Sequence, residues 1–338
     1  MAQHFLRSAA ARTLPLVRVL RMSEDQAYRW FCRARWPETD GEPWCPRCGC
    51  IEPWEIRRRR YKCREKTCRA EFSVTSGTIF ASRKLPFRLI LAVISLAANS
   101  VKGKAALQVA RELGVEYKTA WANLMKLREA IAAERERLLL EEMVEIDGMY
   151  IGGHIRPENR AENRVDRRLA RNQNGKRRCV IAVRQRNGRI VTVVAKGEAA
   201  PVASAVIQRY VERNAVIVAD EHPAYDVLHA MHAVVERVNH SEAYRGEDGV
   251  STNQVESYFS RVRRAERGIH HRMASQYLDW YAAELAWRED HRRSDNGTLV
   301  AEMLKKALGH PVSRWLCGYW QGNHPPPDAF LFEPAQAA

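Results

Sequence analysis

Residues 215–226 read AVIVADEHPAYD. An apolar run stops at Asp220, Glu221 and His222, and Pro223 follows at once. Two readings compete. Asp and Pro commonly end a strand and begin the next helix, which would make Asp220 mere punctuation. Alternatively, the run is a buried strand that carries a carboxylate to a sheet edge for chemistry. The neighbouring elements decide between them.

Upstream, MVEIDGMYI (143–151) alternates as a strand with Asp147 in its middle. RRCVIAVRQRNGRIVTVVA (177–195) reads as a hairpin folded across Asn187-Gly188, a strong two-residue turn signal. A helix is expected from Ala199 to Arg213, and another after Pro223. HAVVERVNH (232–240) gives a short strand. STNQVESYFSRVRRAERG (251–268) reads as a helix with Ser251 or Thr252 at its N-cap. The order strand, strand, strand, helix, strand, helix, strand, helix is that of an α/β, ribonuclease H-like mixed sheet between helices. In that connectivity the first and fourth strands are neighbours, so Asp147 and Asp220 converge and the last helix brings Glu256 over the same edge. Glu221 points to the other face, which removes it and Asp226 as primary ligands.

Three carboxylates at one point repel one another unless cations neutralise them. Hard divalent ions such as Mg²⁺ or Mn²⁺ do so and keep positions open for water and phosphate. Two such ions would activate the attacking oxygen and stabilise the leaving one in phosphoryl transfer. Arg263, seven positions beyond Glu256, is placed to steady a DNA phosphate; its plain alternative is surface charge. His222 and His240 read as satisfied loop histidines.

Towards the amino terminus, WCPRCG holds Cys45 and Cys48, and YKCREKTC holds Cys63 and Cys68, with 14 residues between the pairs. Two tight cysteine turns of this kind converge on one tetrahedral Zn²⁺. PWEIRRRRYKC between them reads as the short hairpin of a zinc ribbon. Cys50 is a substitute ligand with poorer spacing, and the isolated Cys32, Cys179 and Cys317 read as core. The ribbon carries eight cations, Arg57, Arg58, Arg59, Arg60, Lys62, Arg64, Lys66 and Arg69. Such a run is usually a solvated face; on a zinc-stapled unit it also suits phosphate contact, with Arg58 and Arg60 as candidates.

LPFRLILAVISLAANS (85–100) is apolar enough for a buried helix. Ala106, Val109, Ala110 and Leu113 then form a helical stripe, Gly114 breaks it, and a second helix runs from about Tyr117 to Glu129. This is the helix-turn-helix outline, in which Glu116, Tyr117, Lys118, Thr119 and Asn123 would face the major groove. REAIAAERERLLLEEM continues as a charged helix and linker.

The formal charge of +15 favours a polyanionic partner, and no apolar run approaches the ~20 residues of a membrane span. Residues 1–22 hold four arginines and no acid; a loosely ordered leader is expected, with an organellar transit peptide as the alternative. The cysteine spacing points to a reducing interior without disulfides. The segment 154–177 is nearly devoid of apolar residues and reads as a mobile insertion. Aromatics at helical spacing in 268–295, among them Tyr277, Trp280, Tyr281 and Trp287, read as core.

Six stretches carry a family resemblance: RWPETDGEPWCPRCG, YKCREKTCRAEFSVTSGTIF, LGVEYKTAW, VEIDGMYIGG, ADEHPAYDVL and NQVESYFSRVRR. They resemble the DDE-type transposases of bacterial insertion sequences, in the branch with an amino-terminal zinc ribbon. The resemblance implies nicking of element ends at terminal inverted repeats, then attack of the freed 3′-hydroxyl on target DNA. It implies Asp147 and Asp220 as the first two metal ligands and Glu256, with 35 residues between it and Asp220, as the third. Some members of the branch use Asn there, and Asn253 lies one turn before Glu256 on the same helix face. It further implies double-stranded DNA as partner, a homo-oligomer on DNA and a bacterial cytoplasmic, nucleoid-associated place. The expected organisation is leader 1–22, zinc ribbon 23–80, helix-turn-helix and linker 84–140, catalytic domain 141–295 and tail 296–338. A regulator with an inactive catalytic domain and a nuclease that cuts without joining are the rival readings.

Overall fold

The computed structural model describes residues 5–154, 157–166, 170–172, 174–231, 234–238 and 252–334. By packing, the chain divides into two units, Met1–Glu134 with His291–His324, and Arg135–Asp290 with Pro325–Ala338.

The first unit begins with α1 (Leu16–Arg21) and α2 (Glu24–Arg35). Leu14 and Val19 are buried and α1 packs against α3, so residues 5–22 differ from the loose leader expected: apolar side chains at helical spacing tie them down. Ser23 and Gln26 form a reciprocal capping box at the start of α2. A three-stranded antiparallel sheet follows, β1 (Trp54–Arg57), β2 (Arg60–Lys62) and β3 (Glu71–Phe72). Helix α3 (Phe87–Asn99) is apolar on nearly every side and buried accordingly. The Glu24 carboxylate caps it, accepting from the N–H groups of Phe87 and Arg88 at 2.7 and 3.1 Å. Next come α4 (Ala106–Leu113) and α5 (Tyr117–Ala132). Gly114 joins them at φ 63°, the left-handed C-cap conformation that favours glycine.

Helix α5 stops at Ala132, short of the continuous linker helix expected. Residues Ala133–Arg137 form a 3₁₀ turn. Leu140 then pairs with the 210–212 segment, its N–H donating to Tyr210 O and its carbonyl accepting from Glu212 N. AERERLLLEE is good helix sequence, but burying Leu140 in the second unit's core outweighs that propensity.

In the second unit, β4 (Met143–Gly152), β5 (Arg177–Gln185) and β6 (Ile190–Ala195) run antiparallel in sequence. After α6 (Ala200–Tyr210), β7 (Val216–Asp220) returns parallel to β4, and β8 (Val235–Val238) lies parallel to β7. The sheet order is β6-β5-β4-β7-β8, the ribonuclease H-like arrangement. Pro223–Ala230, expected as a helix, is a 3₁₀ turn. Helix α7 (Asn253–Ala265) continues into a π-turn over Glu266–His270, and α8 (Leu278–Asp290) follows.

Strand alternation sorts the two faces. Val144, Ile146, Ile217 and Ala219 belong to the core under α6 and the 223–230 turn. Met149, Ile151 and the apolar stripe of α7, Val255, Tyr258, Phe259 and Val262, form the other core with α8. Tyr277, Trp280 and Trp287 are buried and Tyr281 half-buried, in line with a core role.

The last helix, α9 (Asn296–Gly309), packs in the first unit against α2, α3 and α5. Asp295 caps it, accepting from the N–H groups of Gly297 and Thr298. Cys32 and Cys179 are buried, but Cys317, expected in the core, is exposed. It follows α9 in a turn-rich segment in which the neighbouring Leu316 is buried instead.

Candidate functional site

Two constellations stand out, a thiol cluster in the first unit and an acidic edge in the second. The Sγ atoms of Cys45, Cys48, Cys63 and Cys68 all lie within 4.8 Å of one another. Cys45 and Cys68 are 3.7 Å apart and Cys48 and Cys63 3.4 Å. A tetrahedral zinc with Zn–S bonds of about 2.3 Å sets its sulfurs roughly 3.8 Å apart, so the residues fit the ion. Gly49, at φ 80°, donates its N–H to Cys45 O, and Cys45 N–H donates to Cys50 O, which turns the first pair back on itself. Cys50 stays outside the cluster.

The acids are positioned by strand register. Ile146 pairs with Ala219 across the parallel β4–β7 ladder, so Asp147 and Asp220 are the next residues on adjacent strands, both on the α7 face. Asp147 Oδ1 accepts from Gly148 N–H at 2.7 Å, and Asp220 Oδ1 from His222 N–H at 2.9 Å. Glu256 lies in the first turn of α7, with Thr252 Oγ1 at 3.4 Å from its Oε1. All three acids are half-buried, as is Asn253. Burial pushes the Asp147 carboxyl up to about 7 against the Gly148 N–H, and the charges of Asp220, Glu198 and Glu256 add to the rise. Among the described residues only the four cysteines form a group of three or more candidate ligands drawn within 4.8 Å of one another. His222 Nδ1 accepts from Ala224 N–H at 3.2 Å, capping the 3₁₀ turn. Asp226 and Glu221 are exposed, and His240 and Ser251 lie outside the described residues.

Two acids escaped sequence reading. Glu145, two residues before Asp147 on the same face, is fully buried. It accepts the N–H groups of Gln254 and Val255 at 3.0 and 3.1 Å and pairs with Arg186 at 3.4 Å. It therefore caps α7, a task expected of Ser251 or Thr252; the Thr252 side chain makes no capping bond. Arg184 adds a second latch by donating to Gln254 O at 2.9 Å. The strand that carries Asp147 thus holds the helix that carries Glu256. The only signal in the sequence is a charge alternating in phase with Asp147. The other missed acid, Glu198, lies in the turn between β6 and α6.

The candidate DNA-facing residues are spread over both units. On α5, Glu116, Tyr117 and Lys118 are exposed. Thr119 and Asn123 line a 310 Å³ cavity with Arg83, Lys84, Lys118, Lys126 and Trp320. The Lys118 ammonium lies 4.9 Å from the Trp320 ring centre, while Tyr319 packs on Trp121 at 4.6 Å. In the ribbon, Arg58 pairs with Asp25 at 2.9 Å and Arg60 lies 3.9 Å from Glu71. Arg59 is structural, paired with Asp25 and set over the Tyr28 ring. Arg263 is exposed. In the 154–177 segment, 3₁₀ turns span Ala161–Asn163 and Ala170–Asn172, and residues 155–156, 167–169 and 173 lie outside the described residues. No helix among the described residues is long and apolar enough to cross a membrane.

Two family models match the chain: the transposase zinc-ribbon domain over residues 22–71 and the ISXO2-like transposase domain over residues 139–290. No curated protein matches. Among solved structures, the crystal structure of the Mos1 strand transfer complex is similar at 13% identity, over 65% of this chain and 77% of that one. The TM-score is 0.24, too slight to carry an inference.

Proposed function

The chain belongs to the DDE-type transposases that carry an amino-terminal zinc ribbon, and from that membership we propose that it nicks the ends of a mobile element and joins the freed 3′-hydroxyl to target DNA. The observation that carries this reading is the convergence of Asp147 and Asp220 on neighbouring parallel strands, under a helix bearing Glu256.

The residues fit hard divalent cations. The donors are half-buried carboxylate oxygens, and burial, with the neighbouring acids adding, raises Asp147 to about 7, a cost that Mg²⁺ or Mn²⁺ relieves. Asp147, Asp220 and Glu256 would hold the ions, with Asn253 as the alternative third member. When bound, two such ions stabilise the attacking and leaving oxygens of phosphoryl transfer. The chain's own residues do the orienting. Backbone donors at Gly148 and His222 fix the carboxylates of Asp147 and Asp220. Glu145 and Arg184 hold α7 to the sheet. Arg263 is exposed on α7 two turns beyond Glu256 and reaches a strand phosphate.

In the same reading, the zinc ribbon and the α4–α5 pair recognise the terminal repeats of double-stranded DNA. Tyr117, Lys118, Thr119 and Asn123 face the groove, and Arg58 and Arg60 contact phosphates. The protein assembles as a homo-oligomer on paired ends and works on the nucleoid of the bacterial cytoplasm. Purified protein, Mg²⁺ and labelled element ends test this directly. Asp220→Asn should abolish turnover and leave DNA binding intact; turnover that persists refutes the assignment. Cleavage without strand transfer by the native protein would mark a nuclease instead.

A further inference from the structure

Glu198 is held from three sides. Tyr225 Oη donates to its Oε1. Its backbone N–H donates to Tyr150 Oη at 3.0 Å. Its carboxylate lies against Gly148, where an added Cβ would stand 2.5 Å from Cδ and Oε1 and 2.7 Å from Oε2. Gly148 is not in the left-handed region, so glycine is needed here for space rather than for conformation. Asp147 directly precedes that glycine, and Tyr225 lies five residues beyond Asp220. Segments adjoining both candidate ligands therefore fix the Glu198 carboxylate.

The surroundings do not satisfy a fourth negative charge. Glu198 makes no ion pair among the described residues, and it is half-buried. Tyr225 is fully buried and donates to one oxygen only. By strand alternation Gly148 faces the α6 side of the sheet with Val144 and Ile146. Glu198 thus reaches the edge from the face opposite Asp147, Asp220 and Glu256.

We infer that Glu198 is a fourth carboxylate of the divalent-cation site, closing on the bound ions from the α6 face while Asp147, Asp220 and Glu256 approach from the α7 face. The inference rests on the phosphoryl-transfer reading above. Ions seated where β7 ends beside the middle of β4 are then enclosed from both sides of the sheet, which ligands from a single face do not achieve. Gly148 becomes part of the site by what it lacks.

The test measures binding rather than turnover. Mn²⁺ is titrated into full-length, zinc-loaded protein without DNA, and free Mn²⁺ is read by its paramagnetic resonance signal. Glu198→Gln keeps the shape and an acceptor for Tyr225, and should weaken Mn²⁺ binding by about tenfold or more. Gly148→Ala leaves every acid in place but drives the Glu198 carboxylate aside, and should weaken binding in the same direction. Native affinity in both variants overturns the inference, and if Glu198→Gln fails to fold, Gly148→Ala decides alone. Asp220→Asn separates the two ideas: native Mn²⁺ binding in that variant would overturn the carboxylate-site reading itself.

Discussion

Glu145→Ala removes the group that ties α7 to β4, and its cost can be worked from the contacts. The substitution orphans two backbone N–H groups, those of Gln254 and Val255, at about 1–3 kcal/mol for each buried unsatisfied donor. It also strips Arg186 of a partner, a smaller loss because that side chain is 26% exposed. Against this, burial holds the Glu145 carboxyl above its ordinary range despite both N–H donors, so removing the charge returns part of the cost. The net loss is about 2–3 kcal/mol, and at roughly 2–4 °C per kcal/mol for a unit of this size the second unit's transition falls by about 4–12 °C. Calorimetry in Mg²⁺-free buffer measures it. Cleavage should fall further than the folded fraction, because a helix displaced by about 1 Å costs on the order of a hundredfold in a positioned reaction. A variant that melts within 1 °C of the native protein and cleaves at the native rate would refute the latch.

Asp290 gives a pH prediction. Burial, with Glu289 adding, pushes its carboxyl from 3.8 up to about 7 against the Ile190 N–H and two arginines. A carboxyl raised in the fold contributes its full stability below 3.8 and loses it as pH climbs to about 7. Asp290→Asn should therefore gain on the native protein from pH 4 to pH 7, by at most about 4 kcal/mol at 1.36 kcal/mol per unit; a difference flat across pH 4–8 would contradict it. Thiol titration tests the zinc ribbon: Cys317 and the half-buried Cys50 react first, and chelation releases the Cys45, Cys48, Cys63 and Cys68 thiols together. Early reaction of those four would count against a zinc cluster. Leu304→Ala, at a fully buried position in α9, should cost the first unit about 2–5 kcal/mol; an unchanged melting profile would mean α9 is dispensable.

Much of this was legible in the chain because the signals were local. Strand alternation around Asp147, the Asn187-Gly188 turn, the paired cysteines and the Gly114 break each depend on neighbours in sequence. What escaped depends on partners far away. Glu145 looks like an outward charge on an alternating strand until α7 arrives 109 residues later to receive it. Glu198 sits in a Lys-Gly-Glu stretch that reads as a polar turn, and only Gly148 and Tyr225 give it meaning. The end of α5 was misread because helix propensity continues past Ala132 while Leu140 is drawn to the 210–212 backbone. The third site member is balanced for a different reason: Asn253 and Glu256 share a helix face, so no pattern in the helix separates them.

The return of α9 to the first unit has a consequence in time. Helix α3 is buried partly beneath α9, yet the 156 residues 135–290 of the second unit are synthesised between Glu134 and His291. At about 5–20 residues per second, the ribosome needs roughly 8–30 s to cross that stretch. Throughout the interval the nascent chain holds a zinc ribbon and a helix pair on an unfinished base, with α3 uncovered. The first unit is therefore closed only after the strands bearing Asp147 and Asp220 and the helix bearing Glu256 have been made, so a half-synthesised chain lacks a completed first unit.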